Sequence, residues 1–191
     1  MSETLQPLHE DERRALLHLA RTAIVARLEN LPPPDWPLDH PRLLRPLAAF
    51  VTLKAGADLR GCIGSLDSHA ALADNIIRCA AAAATEDRRF PPLDPAEATG
   101  LRIEISVLGP LATVHHPLME IVPGRHGLVV SSGSRRGLLL PQVASEHGWD
   151  VRTFLEEACR KAGLPPDAWE RGATVQVFEA EVFGEKELLP V

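Results

Sequence analysis

Residues 47–66 read LAAFVTLKAGADLRGCIGSL and predict a β-hairpin. The stretch 47–54 is rich in apolar and β-branched residues, which favours a strand, and AGAD at 55–58 is a turn signal. We therefore expect residues 59–63 to form the partner strand. Two glycines flank the cysteine of this strand, and glycine either permits unusual backbone angles or leaves space beside the chain.

The predicted partner strand has two distinct faces. Side chains alternate along a strand, so Arg60 and Cys62 should share one face and Leu59, Gly61 and Ile63 the other. The apolar Leu59 and Ile63 are expected to face the core, with Gly61 beside them for close packing. This arrangement would turn Arg60 and Cys62 away from the core, towards solvent or a cleft.

The rest of the chain predicts an α+β fold. Gly64 is expected to turn the chain towards a helix over 69–85, with Asp67-Ser68 as its N-cap. Helices and hairpins are mixed without a regular βαβ repeat, which favours the α+β class and a single domain over 1–191. The other predicted elements are helices at 10–29, 141–147 and 151–162, a short helical turn at 117–122, and strands at 101–108, 127–132, 136–140 and 174–183.

Composition excludes several classes of protein. The 191 residues include 20 basic and 26 acidic side chains, a net charge of −6, and no basic tract, which argues against nucleic-acid binding. The three cysteines form no CxxC motif, so a zinc knuckle is not expected. The N-terminus lacks an apolar signal-peptide core, and no apolar run reaches the roughly 18 residues of a membrane helix. We expect a cytoplasmic protein that does not bind membranes.

Several stretches together resemble the AMMECR-one family, whose prokaryotic members are called protein A of the AmmeMemoRadiSam system. The matching pieces are LRGCIG at 59–64, RFPPL at 89–93, HGL at 126–128, GLLLPQVASEHGWD at 137–150, and FLEEACRKAGL at 154–164 with Trp169 following. They are spread over most of the chain, and LRGCIG is the most specific of them.

The resemblance implies a mixed or mainly antiparallel β-sheet flanked by helices, with a smaller subdomain that we place within about 110–165. It also implies two possible partner proteins, because genes of this family tend to lie beside those of a Memo-like protein and a radical S-adenosylmethionine enzyme. The chain has no CxxxCxxC cluster motif, so radical chemistry would belong to that partner. The resemblance implies no settled activity and no cofactor.

Cys62 is the first candidate catalytic residue. A guanidinium on the same face, that of Arg60, would favour the thiolate and raise its reactivity. The alternative is that Cys62 is a small apolar filler, the usual role of a free cysteine. Cys159 lies on the apolar stripe of its helix and Cys79 beside one, so neither is expected to do chemistry.

A thiolate nucleophile needs a base, and His126 is the best candidate because it matches the HG pair of the family. Glu104 or Glu146 would then orient the imidazole. The alternative is that His126 is a turn residue bonded to backbone. The adjacent His115 and His116 point apart on an extended chain, and no motif predicts a metal site.

Binding residues are predicted at Arg89, Gly61, Gly64 and Glu104. Arginine forks suit carboxylates and phosphates, so Arg89 would bind an anion or a peptide. Its alternative is a pair with a carboxylate of the chain, with Phe90 plugging the core. The glycines would let the backbone of a partner approach closely.

Two functions follow from these residues. In the first, the protein is a component of a Memo-like and radical S-adenosylmethionine modification system and uses Cys62 in a cleft for group transfer or substrate binding. In the second, it is a non-catalytic module that docks a partner protein or peptide.

Overall fold

A computed structural model describes residues 5–36, 40–66 and 69–185 of the chain. The helices are α1 (Glu10–Leu28), α2 (Leu72–Thr85), α3 (Pro117–Glu120), α4 (Pro141–His147) and α5 (Val151–Lys161), with 3-10 turns at Pro41–Leu44 and Pro95–Gly100. The strands are β1 (Ala49–Ala55), β2 (Asp58–Ser65), β3 (Leu101–Leu108), β4 (Ala112–Thr113), β5 (His126–Ser132), β6 (Arg135–Leu139) and β7 (Thr174–Gly184).

The strands pair in the order β2-β1-β3-β7-β5-β6, and β4 pairs with β7. β1 is antiparallel to β2 and β3, and β5 is antiparallel to β6 and β7. The predicted α+β class and the antiparallel sheet with flanking helices are therefore confirmed. The chain divides into two compact units, which we call the Cys62 unit (6–107 and 181–191) and the His126 unit (1–5 and 108–180). The subdomain predicted within about 110–165 falls in the range of the His126 unit.

In the Cys62 unit, one side of β1, β2 and β3 is packed against helices. α2 contacts α1, β1 and β2. The buried apolar residues of α1 form a stripe, because every third or fourth residue of a helix returns to the same face. The core consists of fully or nearly fully buried apolar side chains: Leu16, Leu17, Ala20, Ile24, Val51, Leu53, Leu72, Ile76, Ile103, Ile105, Val107 and Phe183.

The start of α2 differs from the prediction. The helix begins at Leu72 and not at residue 69, because the backbone N–H of Leu72 donates to the carbonyl of Arg45, 2.9 Å away. Ala71 forms a β-bridge with Pro46 just before it. The predicted cap residues Asp67 and Ser68 lie outside the described residues.

In the His126 unit, α4 and α5 pack on β5 and β6. Gly148 ends α4 in the left-handed conformation at φ 63°, and the Asp150 carboxylate caps α5 by accepting the N–H of Thr153 at 2.8 Å. Both ends were predicted. The buried core consists mainly of Leu128, Val130, Leu139, Phe154, Leu155, Ala158, Cys159, Val175 and Val177.

Candidate functional site

Cys62 lies on the side of the sheet away from α2. Its neighbour Gly61 faces the helix, since a Cβ on Gly61 would come within 2.3 Å of the carbonyl oxygen of Ala83 in α2. Consecutive residues of a strand point to opposite sides. We call the side of β1, β2 and β3 that carries Cys62 the thiol face, and the opposite side the helix face.

A row of three polar side chains crosses the thiol face. Thr52 of β1 is directly opposite Cys62 of β2, and Glu104 of β3 is directly opposite Thr52 on its other side. The Thr52 hydroxyl donates to the Cys62 sulfur at 3.3 Å. Directly opposed residues of adjacent strands have their Cβ atoms about 5 Å apart. The sheet therefore brings together two predicted residues, Cys62 and Glu104, with Thr52 between them; we call these three the thiol row.

The predicted alternation of β2 is wrong at Leu59. A bulge shifts the register, so that Gly61 pairs with Leu53 while Leu59 pairs with Lys54, and Arg60 has no partner in β1. An extra residue in one strand breaks the two-residue period. Leu59 is consequently 39% exposed and not in the core.

Arg60 is held by residues beyond the free edge of β2. Its guanidinium donates to both carboxylate oxygens of Glu97 at 3.0 and 3.1 Å and to the carbonyl of Pro91 at 2.8 Å. Within the described part of the chain, none of the hydrogen bonds of Arg60 goes to the Cys62 sulfur. The prediction that Arg60 and Cys62 share a face assumed regular alternation, and the bulge removes that assumption.

An ion pair fixes the backbone of Cys62. The Asp87 carboxylate accepts the N–H of Cys62 at 2.9 Å, and the Arg89 guanidinium donates to the Cys62 carbonyl at 3.3 Å. Arg89 also donates to both oxygens of Asp87, at 2.9 and 2.7 Å. We call Asp87 and Arg89 the Cys62 clamp, because together they satisfy the donor and the acceptor that this residue turns away from β1.

Asp87 is a residue that the sequence did not identify. It is buried, and hydrogen bonds from Arg89, with a further one from the Cys62 N–H, hold the pKa of its carboxyl well below the usual range. The clamp corresponds to the alternative in which Arg89 pairs with a carboxylate of the chain. Phe90 is half-buried and lies under the Arg89 guanidinium, 5.5 Å from it, so it does not plug the core.

The two glycines beside Cys62 have different neighbours. Gly61 allows β2 to approach α2, as expected. Gly64 does not turn the chain, because it lies inside β2 opposite Phe50, and a Cβ there would come within 2.1 Å of the Phe50 ring. Both glycines are thus explained by close packing within the Cys62 unit. Their predicted role in binding a partner stays a prediction.

Glu104 is paired with a cation on the same face. Its carboxylate lies 3.0 Å from the Lys54 ammonium, and both side chains are partly exposed. Lys54 is two residues from Thr52 along β1 and therefore shares the thiol face. Glu104 is consequently part of a polar surface beside Cys62. Within the described residues, its ion pair is with Lys54 and not with a histidine.

His126 belongs to the other unit. Its Nδ1 accepts the backbone N–H of Val122 at 3.1 Å, which is the turn role offered as the alternative. Burial, and secondarily the charge of Arg125, lower the pKa of its imidazole. Glu146, the other candidate partner, is exposed on α4. The pairing of Cys62 with His126 as nucleophile and base stays a prediction.

The other two cysteines are buried thiols. Cys79 is 3% exposed and Cys159 fully buried, as expected for packing residues. Burial raises the pKa of the Cys79 thiol to about 11 and also raises that of Cys159. Cys62 is half-buried and is the most accessible of the three.

The described residues contain no group of three or more His, Cys, Asp or Glu side chains able to hold a metal ion. His115 instead donates its backbone N–H to Glu120 at 2.9 Å, and His116 donates to the same carboxylate. Within 5–36, 40–66 and 69–185, none of the helices has the length and apolarity that crossing a bilayer requires.

These features define an α+β protein with an antiparallel sheet, in which β1, β2 and β3 have one face packed on helices and one polar face with an accessible thiol. Residues 17–183 match the model of the AMMECR1 family. The chain belongs to the AMMECR1 family, as its motifs indicated.

Relatives of similar length support this assignment. A protein of Methanopyrus kandleri is 45% identical over 186 residues, which cover 93% of this chain and 90% of the relative. A protein of Methanothermobacter thermautotrophicus is 44% identical over 190 residues, covering 94% and 97%. The crystal structure of an uncharacterized protein from Pyrococcus horikoshii is similar with a TM-score of 0.82 and 42% identity, over 90% of each chain.

Proposed function

We propose that the chain is a component of a Memo-like and radical S-adenosylmethionine modification system, in which the thiol row binds the substrate and Cys62 accepts the transferred group. The observation that supports this proposal is the row itself. An accessible sulfur receives a hydrogen bond from Thr52, and a carboxylate stands beyond Thr52 on the same face. The hydrogen bond from the Thr52 hydroxyl positions the sulfur, as a nucleophile requires.

The transfer step would form one bond and break one. The Cys62 sulfur attacks an electrophilic carbon of an activated acyl or alkyl donor and forms a carbon–sulfur bond. The leaving group of the donor departs with the bonding electron pair and takes up the proton released from the thiol. The Cys62 clamp would hold the backbone beneath the sulfur in place during this step.

The test is to express this chain together with a Memo-like protein and a radical S-adenosylmethionine enzyme. The product of the system is recognised as the mass change that appears in cell extracts only when all three proteins are present. We expect Cys62→Ser to abolish this product. The matched control is Cys79→Ser, which makes the same chemical change in helix α2 and should preserve the product in the folded fraction. An undiminished product with Cys62→Ser would contradict the proposal.

A second candidate function, docking of a partner protein, is favoured by a separate groove in the Cys62 unit. The groove has a volume of about 1010 Å³ and lies between α1, α2 and the proline-rich residues 31–36. Its walls combine apolar residues, among them five alanines, two prolines, Ile77 and Trp36, with five charged residues, and the Trp36 indole N–H donates to one of these, Asp74, at 3.0 Å. A groove of this size with apolar and charged walls is able to seat a segment of another protein.

Docking is tested by measuring the affinity of the Memo-like protein for Ile77→Glu. A charge on the groove wall should weaken binding by at least tenfold, about 1.4 kcal/mol, if the groove is the interface. The control is Leu118→Glu, which places the same charge on an exposed residue of α3. Equal affinity of both variants would exclude this groove as the docking surface.

A further inference from the structure

A second cavity borders the thiol face. It has a volume of about 290 Å³ and lies beside the turn that joins β1 and β2, with Gly184 of β7 in its wall. Three charged side chains of the thiol face line it: Lys54, Arg102 and Glu104. We call this cavity the Lys54 pocket. It is separate from the groove beside α1, and its volume is near the lower end of the range for small-ligand sites.

The charges of the Lys54 pocket are unbalanced. Lys54 and Arg102 are directly opposite each other on adjacent antiparallel strands. Two like charges in this position destabilise a sheet. Glu104 neutralises one of them through its 3.0 Å contact with Lys54. Folding alone gives no reason for the second cation.

The remaining acid of the pocket, Glu185, is already neutralised. Both of its carboxylate oxygens accept hydrogen bonds from Arg21 at 2.7 Å, and one of them also accepts the N–H of Ile103 at 2.9 Å. Arg102 has no ion pair with any residue in 5–36, 40–66 or 69–185, and its side chain is exposed. When the ion pair of Glu185 with Arg21 is counted as neutral, the other described charges of the pocket, Lys54, Arg102 and Glu104, sum to +1, which would favour an anion.

The register connects the Lys54 pocket with Cys62. Lys54 lies two residues beyond Thr52, the residue directly opposite Cys62. Diagonal neighbours of this kind are separated by about 7–8 Å. A small molecule that spans about this distance could therefore place its reactive carbon at the Cys62 sulfur and an anionic group beside Lys54 and Arg102.

We propose that the Lys54 pocket binds the anionic group, a carboxylate or a phosphate, of the substrate that reacts at Cys62. This inference rests on the proposed function of Cys62, since it names the chemical class of its substrate. The anion would lie between the Lys54 ammonium and the Arg102 guanidinium, and Glu104 would compete with it for Lys54.

The experiment compares two maleimides on the native protein, with the rate of addition measured at Cys62 by peptide mass spectrometry. One reagent is the neutral N-ethylmaleimide, and the other is 3-maleimidopropionic acid, which carries a carboxylate at a similar distance from the reacting carbon. The measured ratio is the rate with the acid divided by the rate with N-ethylmaleimide. At low ionic strength, we expect this ratio to be about threefold higher for Cys62 than for free cysteine. A ratio equal to that of free cysteine would overturn the inference.

Three variants test the origin of the preference. Arg102→Gln should return the ratio to that of free cysteine, and Glu104→Gln should raise it above the native ratio because Lys54 is released. Arg136→Gln, an exposed arginine of β6, is the control and should leave the ratio unchanged. A preference that survives Arg102→Gln would place the attraction elsewhere and overturn the assignment.

Competing anions identify the group that the pocket prefers. Acetate and inorganic phosphate are added at equal ionic strength, with chloride as the reference, because salt screens all exposed charges alike. Whichever anion removes the preference at the lower concentration is the better mimic of the substrate. If neither acts beyond chloride, the pocket does not bind anions.

Failure of this inference is distinguishable from failure of the proposed function. Binding of phosphate or acetate to Cys62→Ser, measured by calorimetry, depends only on the pocket. Loss of the three-protein product with Cys62→Ser depends only on the thiol. Anion binding by calorimetry with an undiminished product would show an anion site without a catalytic thiol. Loss of the product without anion binding would show a catalytic thiol without an anion site.

Discussion

The two faces of the same three strands in the Cys62 unit have opposite characters. The helix face consists of buried aliphatic side chains such as Val51, Leu53 and Ile105, with Gly61 admitting the backbone of α2. The thiol face carries a hydroxyl, a thiol and three charged side chains, those of Lys54, Arg102 and Glu104, and all three of these charged residues are partly or fully exposed. Under the proposed function, the LRGCIG motif would serve folding through Gly61 on the helix face and chemistry through Cys62 on the thiol face.

The largest expected effect is on the helix face. In Gly61→Ala, the new methyl group would lie 2.3 Å from the carbonyl oxygen of Ala83, so β2 or α2 must move. Overpacking against backbone costs about 3 kcal/mol in the free energy of unfolding. Urea denaturation measures this loss. The control is Gly100→Ala, where a Cβ meets no atom within 4 Å and a change below about 0.5 kcal/mol is expected.

An unchanged midpoint for Gly61→Ala would break the comparison, because it would mean that the glycine is not required for packing. Its role in the motif would then have to lie in binding, as the sequence alone allowed.

The Cys62 clamp connects the edge of β2 with the end of α2, and its loss should have the next largest effect. Asp87→Asn removes a buried charge from the Arg89 guanidinium and weakens the bond to the Cys62 N–H. A charged hydrogen bond of this kind contributes about 2 kcal/mol to the free energy of unfolding. Asp167→Asn is the control, because Asp167 pairs with Arg171 on the exposed surface and should contribute less than about 0.5 kcal/mol. Equal losses in the two variants would show that the clamp adds nothing beyond a surface pair.

The contribution of Asp87 should depend on pH in one direction. Its pKa is lower in the folded chain than in the unfolded chain, so its stabilising effect is complete above the ordinary aspartate value of about 4. As the pH falls below that value, the unfolded chain takes up a proton first and the contribution declines. The difference in unfolding free energy between the native protein and Asp87→Asn should therefore shrink below about pH 4. A difference that grows with acidity would contradict the assignment.

Local patterns predicted the elements of this fold well. The strand predicted at 101–108 is β3 with the same bounds, and the predicted end of α4 at 147 and start of α5 at 151 are those of the structure, because these features depend on neighbouring residues only. Leu59 was placed in the core because a bulge leaves no mark on the alternation of the strand that contains it. The start of α2 was missed because it depends on a bond to Arg45, 27 residues earlier in the chain.

The candidate site was predicted only in part. Cys62 and Glu104 were identified separately, as a motif cysteine and a possible orienting acid. Their common row depends on the register of two strand pairs and on Thr52, which no local pattern singles out. Asp87 is 25 residues from Cys62 in sequence, and only the folded backbone brings its carboxylate to the Cys62 N–H.

The central claim is that the thiol face carries the function and the helix face the stability, and Cys62→Ser tests it most directly. Serine keeps the shape of the side chain, so the free energy of unfolding should change by less than about 1 kcal/mol. If Cys62 accepts the transferred group, this folded variant, expressed with the Memo-like protein and the radical enzyme, should yield none of the product expected from the three native proteins. A folded Cys62→Ser chain that supports the full amount of product would show that the thiol is not required.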